Sequence, residues 1–150
     1  MLEFLPVEKT DIEVLRDISI RSKAWWGYEE HLMEKFAASS IFSSEQPDGS
    51  NVVKVCMDGK IIGWYRYFPQ EGKVELTDYW LSPEYIGKGF GGKMFQDLKN
   101  KVSQDGFSSI EFDADPNSEP FYEHMGCKLI GQTLSEWNRF IPRMRFDIQP

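Results

Sequence analysis

The chain has 150 residues, of which 41% are hydrophobic, 15% aromatic and 27% charged, the make-up of a globular domain able to bury roughly two-thirds of its unfolded surface. A net charge of −7 disfavours nucleic acid and anionic membrane as partners, and no segment approaches the ~20 apolar residues of a membrane span. Two cysteines, Cys56 and Cys127, make no disulfide framework and read as small buried hydrophobes, while two histidines, His31 and His124, are too few and too scattered for a metal site.

The N-terminal stretch Met1–Pro6 lacks a basic region followed by an apolar core, so no signal peptide is indicated and a cytoplasmic location is expected. Thr10-Asp11-Ile12-Glu13 has the form of a capping box, opening a helix to about Ala24 with Ile12, Leu15 and Ile18 on one face. A second helix is predicted from Tyr28 to Ala38, with Leu32, Met33 and Phe36 apolar. Ser39 to Ser50 is polar and contains Pro47-Asp48-Gly49, a loop. Strands follow over Asn51–Met57, Lys60–Phe68 and Lys73–Leu81, the first two joined by the hairpin signal Asp58-Gly59 and the next turn falling at Gln70-Glu71-Gly72. A helix to about Val102 comes next, and Gly106 breaks it. Ser108–Asp113 reads as a strand, and Asn117 as the cap of a short helix from Ser118 to Met125 that stops at Gly126. Two last strands are predicted, Cys127–Leu134 and Arg143–Ile148. The order ααβββαβαββ, with short connections and no repeat or linker, describes one α/β domain over residues 1–150.

The densest signal lies between the third strand and the third helix. In Tyr85-Ile86-Gly87-Lys88-Gly89-Phe90-Gly91-Gly92-Lys93, four glycines fall within six residues just ahead of a helix. Glycines at that density let several backbone N–H groups converge on one point, and the helix N-terminus behind them adds partial positive charge; both favour phosphate or pyrophosphate. Lys88, Lys93, Lys99 and Lys101 gather around the run against the acidic balance of the chain.

Three phosphate-binding patterns fit this string. Gly87-x-Gly89-x-x-Gly92 spells the dinucleotide fingerprint with Asp113 downstream, but Ser82 to Ile86 separate it from the strand and too few βαβ units follow. Gly87-x4-Gly92-Lys93 approaches a triphosphate loop, yet Met94 stands where Ser or Thr should hold Mg²⁺, and the preceding strands are antiparallel. The third pattern is R/Q-x-x-G-x-G/A, and here Leu81 to Gly91, with its Ser-Pro-Glu-Tyr passage, resembles the pyrophosphate loop of the GCN5-related N-acetyltransferases. Asn117 with Glu119-Pro120-Phe121-Tyr122-Glu123-His124-Met125-Gly126-Cys127 is similar to that family's second signature, and the element order is its topology. One departure stands out: Ile86 occupies the usual Arg or Gln position, so a side-chain contact to phosphate is lost and backbone N–H groups must do the binding.

The resemblance implies a mainly antiparallel mixed sheet flanked by helices, acetyl-CoA as co-substrate, and cofactor contacts from Trp80, Leu81, Ile86, Gly87, Lys88, Gly89, Phe90, Gly91, Gly92, Asn117 and Tyr122. It implies that the pantetheine lies along Tyr79-Trp80-Leu81, that the N–H of Leu81 polarises the thioester carbonyl, and that Tyr122 protonates the leaving thiolate. It also implies an acceptor site at the first two helices and the loop between them, where Trp25, Trp26, Tyr28 and Glu29, with Glu30 and Glu34, suit a cationic amine through cation–π contact and charge. The competing reading of the two tryptophans is that they plug the core at a helix junction. For the base that deprotonates the amine, Glu75 and Asp78 lie on the third strand, where alternation sends them to opposite faces; Glu75 is the candidate, against the alternative of solvated strand charges. His124 reads as a surface residue.

The expected activity is therefore acetyl transfer from acetyl-CoA to a primary amine of a small molecule or peptide. The alternative is a non-catalytic acyl-CoA-binding sensor or interaction module, supported by Ile86 and the unassigned base. Small amines, polyamines, amino-acid or antibiotic amines and protein N-termini are all open as acceptors, as is a longer acyl group. Dimers are common in the family the chain resembles, which makes a homodimer one expected assembly.

Overall fold

A computed structural model describes residues 1–38, 50–135 and 137–148. The described residues form seven strands and four α-helices, in the order β1 (Leu2–Pro6), α1 (Ile12–Ala24), α2 (Glu30–Ala38), β2 (Asn51–Met57), β3 (Lys60–Gln70), β4 (Lys73–Leu81), α3 (Phe90–Gln104), β5 (Ser109–Asp113), α4 (Glu119–His124), β6 (Lys128–Leu134) and β7 (Phe140–Asp147). The strands hydrogen-bond in the order β1-β2-β3-β4-β5-β7-β6. The β4–β5 ladder is parallel, pairing Val74 with Ile110 and Glu75 with Glu111, whereas β1–β2, β5–β7 and β6–β7 are antiparallel. This is the mixed, mainly antiparallel sheet with helices that the family resemblance implied.

The predicted elements reappear with shifted ends and one addition. Strand β1 precedes α1 and pairs along the edge of β2, from Leu2 opposite Met57 to Pro6 opposite Val53. Its five residues end in proline, and an edge strand tolerates the missing N–H that makes such a segment hard to recognise in sequence. The capping box sits one turn earlier than expected. The Glu8 side chain accepts from the Asp11 N–H and the Asp11 side chain from the Glu8 N–H, while Thr10 is not the cap of α1. The cap of the short C-terminal turn also moves: Asp115, not Asn117, accepts from the Asn117 N–H at 2.9 Å and opens the 3-10 turn Pro116–Ser118 that leads into α4. Helix α2 begins at Glu30 rather than Tyr28, and β7 begins at Phe140 because Pro142 still pairs with Gln132. The loop expected over Ser39 to Ser50 lies, apart from Ser50, outside the described residues.

The chain forms two compact units, one of Met1–Arg66 with Asp78–Gly91 and the other of Tyr67–Thr77 with Gly92–Pro150. The first is built around Leu15 and Ile18 of α1 and Trp64 of β3, all at most 1% exposed, with Val7, Ile20, Phe36, Val52, Ile61 and Trp80 packed against them. The Trp64 indole N–H donates to the Leu15 carbonyl at 2.8 Å, so the largest buried side chain also satisfies its one polar atom. In the second unit α3 buries Met94, Phe95, Leu98 and Val102, the spacing of a single helix face. The Phe95 ring meets Tyr122 and Phe146 edge-on, and Tyr122 also packs on Phe112 at 4.5 Å. Both cysteines are buried and unbridged.

One close approach shapes the end of β4. A Cβ added to Gly63 of β3 would lie 2.6 Å from the Trp80 carbonyl oxygen and 3.4 Å from the Leu81 Cα. Those are backbone atoms, so they cannot rotate away as a side chain would. Gly63→Ala is therefore expected to destabilise the protein by about 1–3 kcal/mol in urea unfolding, as overpacking does.

Candidate active site

In the first unit the glycine run adopts the geometry its composition requires. Gly87 and Gly89 have φ of +81° and +87°, with Lys88 between them outside the left-handed region. No atom lies within 4 Å of a Cβ added to either glycine, so conformation rather than space demands glycine there. Gly87, Lys88 and Gly89 are exposed. The turn runs directly into α3, whose first N–H groups have no partner within the helix. Alternating backbone of this kind directs successive N–H groups to one side, the concavity that accepts an anion. Gly87, Gly89 and the start of α3 therefore fit a pyrophosphate, with Ile86, which is half-buried, contributing only backbone.

The strand before the loop presents a second donor. Ser82, the residue after β4, donates its N–H to the Ile62 carbonyl of β3 at 2.7 Å. Strand N–H groups alternate between the two edges, so the N–H of Leu81 is directed away from β3. Trp80 packs edge-on against Phe36, and its indole N–H donates to Asp78 at 3.2 Å. Asp78 is also held by Arg66 at 2.7 Å, both side chains being largely buried. Tyr79 stacks on Tyr65 and donates its hydroxyl to the Gly91 carbonyl.

The expected acceptor residues are also in this unit. Trp25 and Trp26 are 51% and 38% exposed and meet edge to face at 4.7 Å, so they do not plug the core. The Lys23 ammonium lies 4.8 Å from the Tyr28 ring centre, which occupies one face of that ring. Glu29, Glu30 and Glu34 are exposed, and Glu29 approaches His31 at 3.3 Å.

Gly92, Asn117, Tyr122 and Glu75 belong to the second unit. Gly92 has ordinary contact with Met125, and Asn117 is exposed with its amide donating to Asp115 at 2.9 Å. Tyr122 is buried among Phe95, Phe112 and Phe121, and burial pushes its hydroxyl pKa well above the usual tyrosine value, with nearby Cys127 and Asp115 adding to the shift. The phenol is thus held firmly protonated at neutral pH. Cys127 is likewise pushed up, to about 12, by burial, so it stays an inert thiol. His124 is exposed, as its sequence context implied.

Glu75 is not a solvated strand charge. Arg143 of β7 donates from both terminal nitrogens, at 2.5 Å and 2.6 Å to its two oxygens, and both side chains are mostly buried. The bidentate pair engages the lone pairs a base would need, which weighs against Glu75 accepting the amine proton. Arg143 also reaches Asp113 at 3.3 Å and Glu111 at 3.4 Å, and Glu111 is further paired with Lys73 at 2.6 Å and Arg145 at 3.1 Å. The Arg143 partner was not legible beforehand because it arrives from a strand 68 residues away. In hindsight the alternating basic residues Arg143 and Arg145 were the available signal, opposite Asp113 and Glu111 in the β5–β7 register.

The hydrogen bond from Lys73, outweighing desolvation and aided by Arg143, holds the Glu111 carboxyl below its ordinary 4.5. A depressed carboxylate contributes stability above its ordinary value and loses it as pH falls through the lowered one. Lys73→Met removes the largest cause, so its acid-unfolding midpoint, followed by circular dichroism, is expected at higher pH than the wild type.

The described geometry agrees with what known proteins resemble it. The family model described as the acetyltransferase (GNAT) family matches residues 13–127. No curated protein matches the chain significantly in sequence. Among solved structures, the PaiA N-acetyltransferase of Thermoplasma acidophilum, in complex with coenzyme A, superposes with a TM-score of 0.80 at 18% identity, covering 98% of this chain and 99% of that one. The ribosomal-protein-S18-alanine N-acetyltransferase of Escherichia coli gives 0.75 at 16%, covering 100% and 96%. A GCN5-related N-acetyltransferase of Rhodopseudomonas palustris gives 0.82 at 15%, covering 97% and 95%. At these identities the likeness speaks for the fold.

Proposed function

The chain belongs to the acetyltransferase (GNAT) family, and on that premise we propose that it moves an acetyl group from acetyl-CoA to a primary amine. The observation that carries this reading is the left-handed turn at Gly87 and Gly89 running straight into α3. The turn and the helix N-terminus would bind the pyrophosphate of CoA through backbone N–H groups and the helix dipole. The thioester supplies an activated acetyl group and a thiolate leaving group. The N–H of Leu81, directed away from β3, is suited to receive the carbonyl oxygen as negative charge develops on it. The amine nitrogen bonds to the carbonyl carbon, the C–S bond breaks, and the amine gives up its surplus proton to water.

Tyr122 returns a proton to the sulfur. A thiolate of parent pKa near 8.5 is a weaker base than a phenolate of pKa ~10, and burial of Tyr122 raises its own value further, so the transfer is uphill and is completed when the phenolate takes a proton back from water. Held by Arg143, Glu75 keeps the second unit's strands together instead of serving as base. The exposed Trp25–Trp26 pair with the carboxylates Glu29, Glu30 and Glu34 favours a cationic amine as acceptor, small molecule or peptide. Structural neighbours include enzymes whose described acceptors are spermidine and aminoglycosides.

Ile86 and the engaged Glu75 also fit a second reading, an acyl-CoA-binding module without turnover. Tyr122→Phe distinguishes the two. For the transferase, thiol release with an amine panel should fall roughly 100-fold while CoA affinity measured by calorimetry stays within about twofold. Wild-type protein that binds CoA yet releases no thiol with any amine would favour the module, and absence of thermal stabilisation by excess acetyl-CoA would defeat both. Glu75→Gln should lower stability yet keep the acidic limb of the pH–rate profile; a true base would cost about 10²–10⁴ in rate.

A further inference from the structure

With isoleucine at the first loop position, the cradle has no side chain there to find the phosphates, and its affinity depends on where the backbone from Ser82 to Gly91 is held. Both ends of that segment are secured by side chains outside the signature. At the start, Arg21 in the last turn of α1 donates to the Ser82 hydroxyl at 3.1 Å and to the Glu84 carboxylate at 3.3 Å, while its Nε is fixed by Asp17 at 2.8 Å. Ser82, only 3% exposed, closes the cluster by donating its hydroxyl to Glu84. The 3-10 turn Pro83–Tyr85 carries this clasp forward, with the Tyr85 N–H on the Ser82 carbonyl at 2.9 Å and the Ile86 N–H on the Pro83 carbonyl at 3.2 Å. At the far end, Tyr79 donates to the Gly91 carbonyl, and the rings of Tyr85 and Phe90 meet edge-on across the loop at 5.6 Å.

Resting on the cofactor reading above, we propose that Arg21, through Ser82 and Glu84, and Tyr79, through Gly91, are positioning residues that aim the pyrophosphate loop in place of the missing first-position side chain. Their arrangement ties the loop to the same helix that ends beside Trp25 and Trp26, so the acceptor-side helix and the cofactor loop share one anchor. The anchor need not contribute much to global stability. Arg21 and Glu84 are 41% and 56% exposed, and ion pairs so exposed add little to global stability. Loss of aim and loss of fold can therefore be measured separately. The Ser82 hydroxyl, a backbone hydrogen bond and Arg21 hold the Glu84 carboxyl down to about 2, so the clasp is fully charged throughout the neutral range.

Glu84 makes the test sharp, because it is an anion near a site proposed for an anion. If the cluster acted only through charge, Glu84→Ala would tighten CoA binding and Arg21→Lys would preserve it. Positioning predicts the reverse. Glu84→Ala, Arg21→Lys and Tyr79→Phe should each weaken CoA binding by about five- to tenfold in calorimetry, with the double variant Arg21→Lys/Glu84→Ala no worse than either single one. The KM for acetyl-CoA should rise in parallel while kcat at saturation stays within about twofold, and the Tm should shift by less than about 4 °C. Unchanged or tighter binding in Glu84→Ala with the fold intact would overturn the inference and leave the cofactor reading standing. Wild-type protein that fails to bind CoA would overturn both.

Discussion

A backbone N–H can hold an anion only while no carbonyl has claimed it, and that constraint governs how the glycine loop is built. Groups left unpaired to receive a ligand cannot fix their own direction by hydrogen bonding. Their orientation has to be imposed from either side. Here one side is the β4 end, where the Ser82 N–H is committed to Ile62, and the other is α3, whose helical ladder begins as the loop ends. Between them two glycines adopt the left-handed region within three residues. Everything beyond serves to hold those two boundaries still, from the Gly63 contact under Trp80 to the Arg21 clasp.

The chain solves the electrostatics of an anionic ligand locally. With a net charge of −7 it offers no general attraction for phosphate, so a favourable field has to be local, from oriented peptide dipoles and from the lysines that gather around the glycine run, such as the exposed Lys88. Acidic residues that precede the loop are paired with cations: Glu84 with Arg21, Asp78 with Arg66. In the second unit Glu75 and Glu111 are treated the same way by Arg143, Lys73 and Arg145. Carboxylates that sit on strands at low exposure are tolerable only when paired, and pairing removes them from acid–base chemistry. Tyr122 in the same unit is a phenol that burial keeps neutral, a donor without being a base.

The anatomy of the first unit also relates the two substrates the proposed reaction must bring together. Helix α1 supplies Leu15 and Ile18 to the core, Arg21 to the loop, and ends at the aromatic pair. One helix thus touches the core, the Ser82–Glu84 segment ahead of the glycine loop and the exposed tryptophan pair in successive turns. Helix rigidity makes this economical, because residues three or four apart share a face and move together.

Local letters were enough for every strand and α-helix except the edge strand β1, and for the loop. Asp58-Gly59 and Glu71-Gly72 turn because their φ requirements are written in residue type, and the α3 stripe of Met94, Phe95, Leu98 and Val102 is a period that any reading of the sequence finds. The glycine spacing from Gly87 to Gly92 and the Asn117–Gly126 passage likewise carried the family resemblance unaided. What they could not convey is who meets whom across long separations. That Thr10 yields the cap to Glu8, that Asn117 yields it to Asp115, and that the tryptophans face solvent depend on the path of the surrounding chain. Most consequentially, Glu75 read as a candidate base from its place on one face of the third strand, whereas Arg143, which holds it, stands 68 positions away. Residue type determines what a group can do; only the folded register, by bringing charges from distant strands within 3 Å, decides whether it is left able to do it.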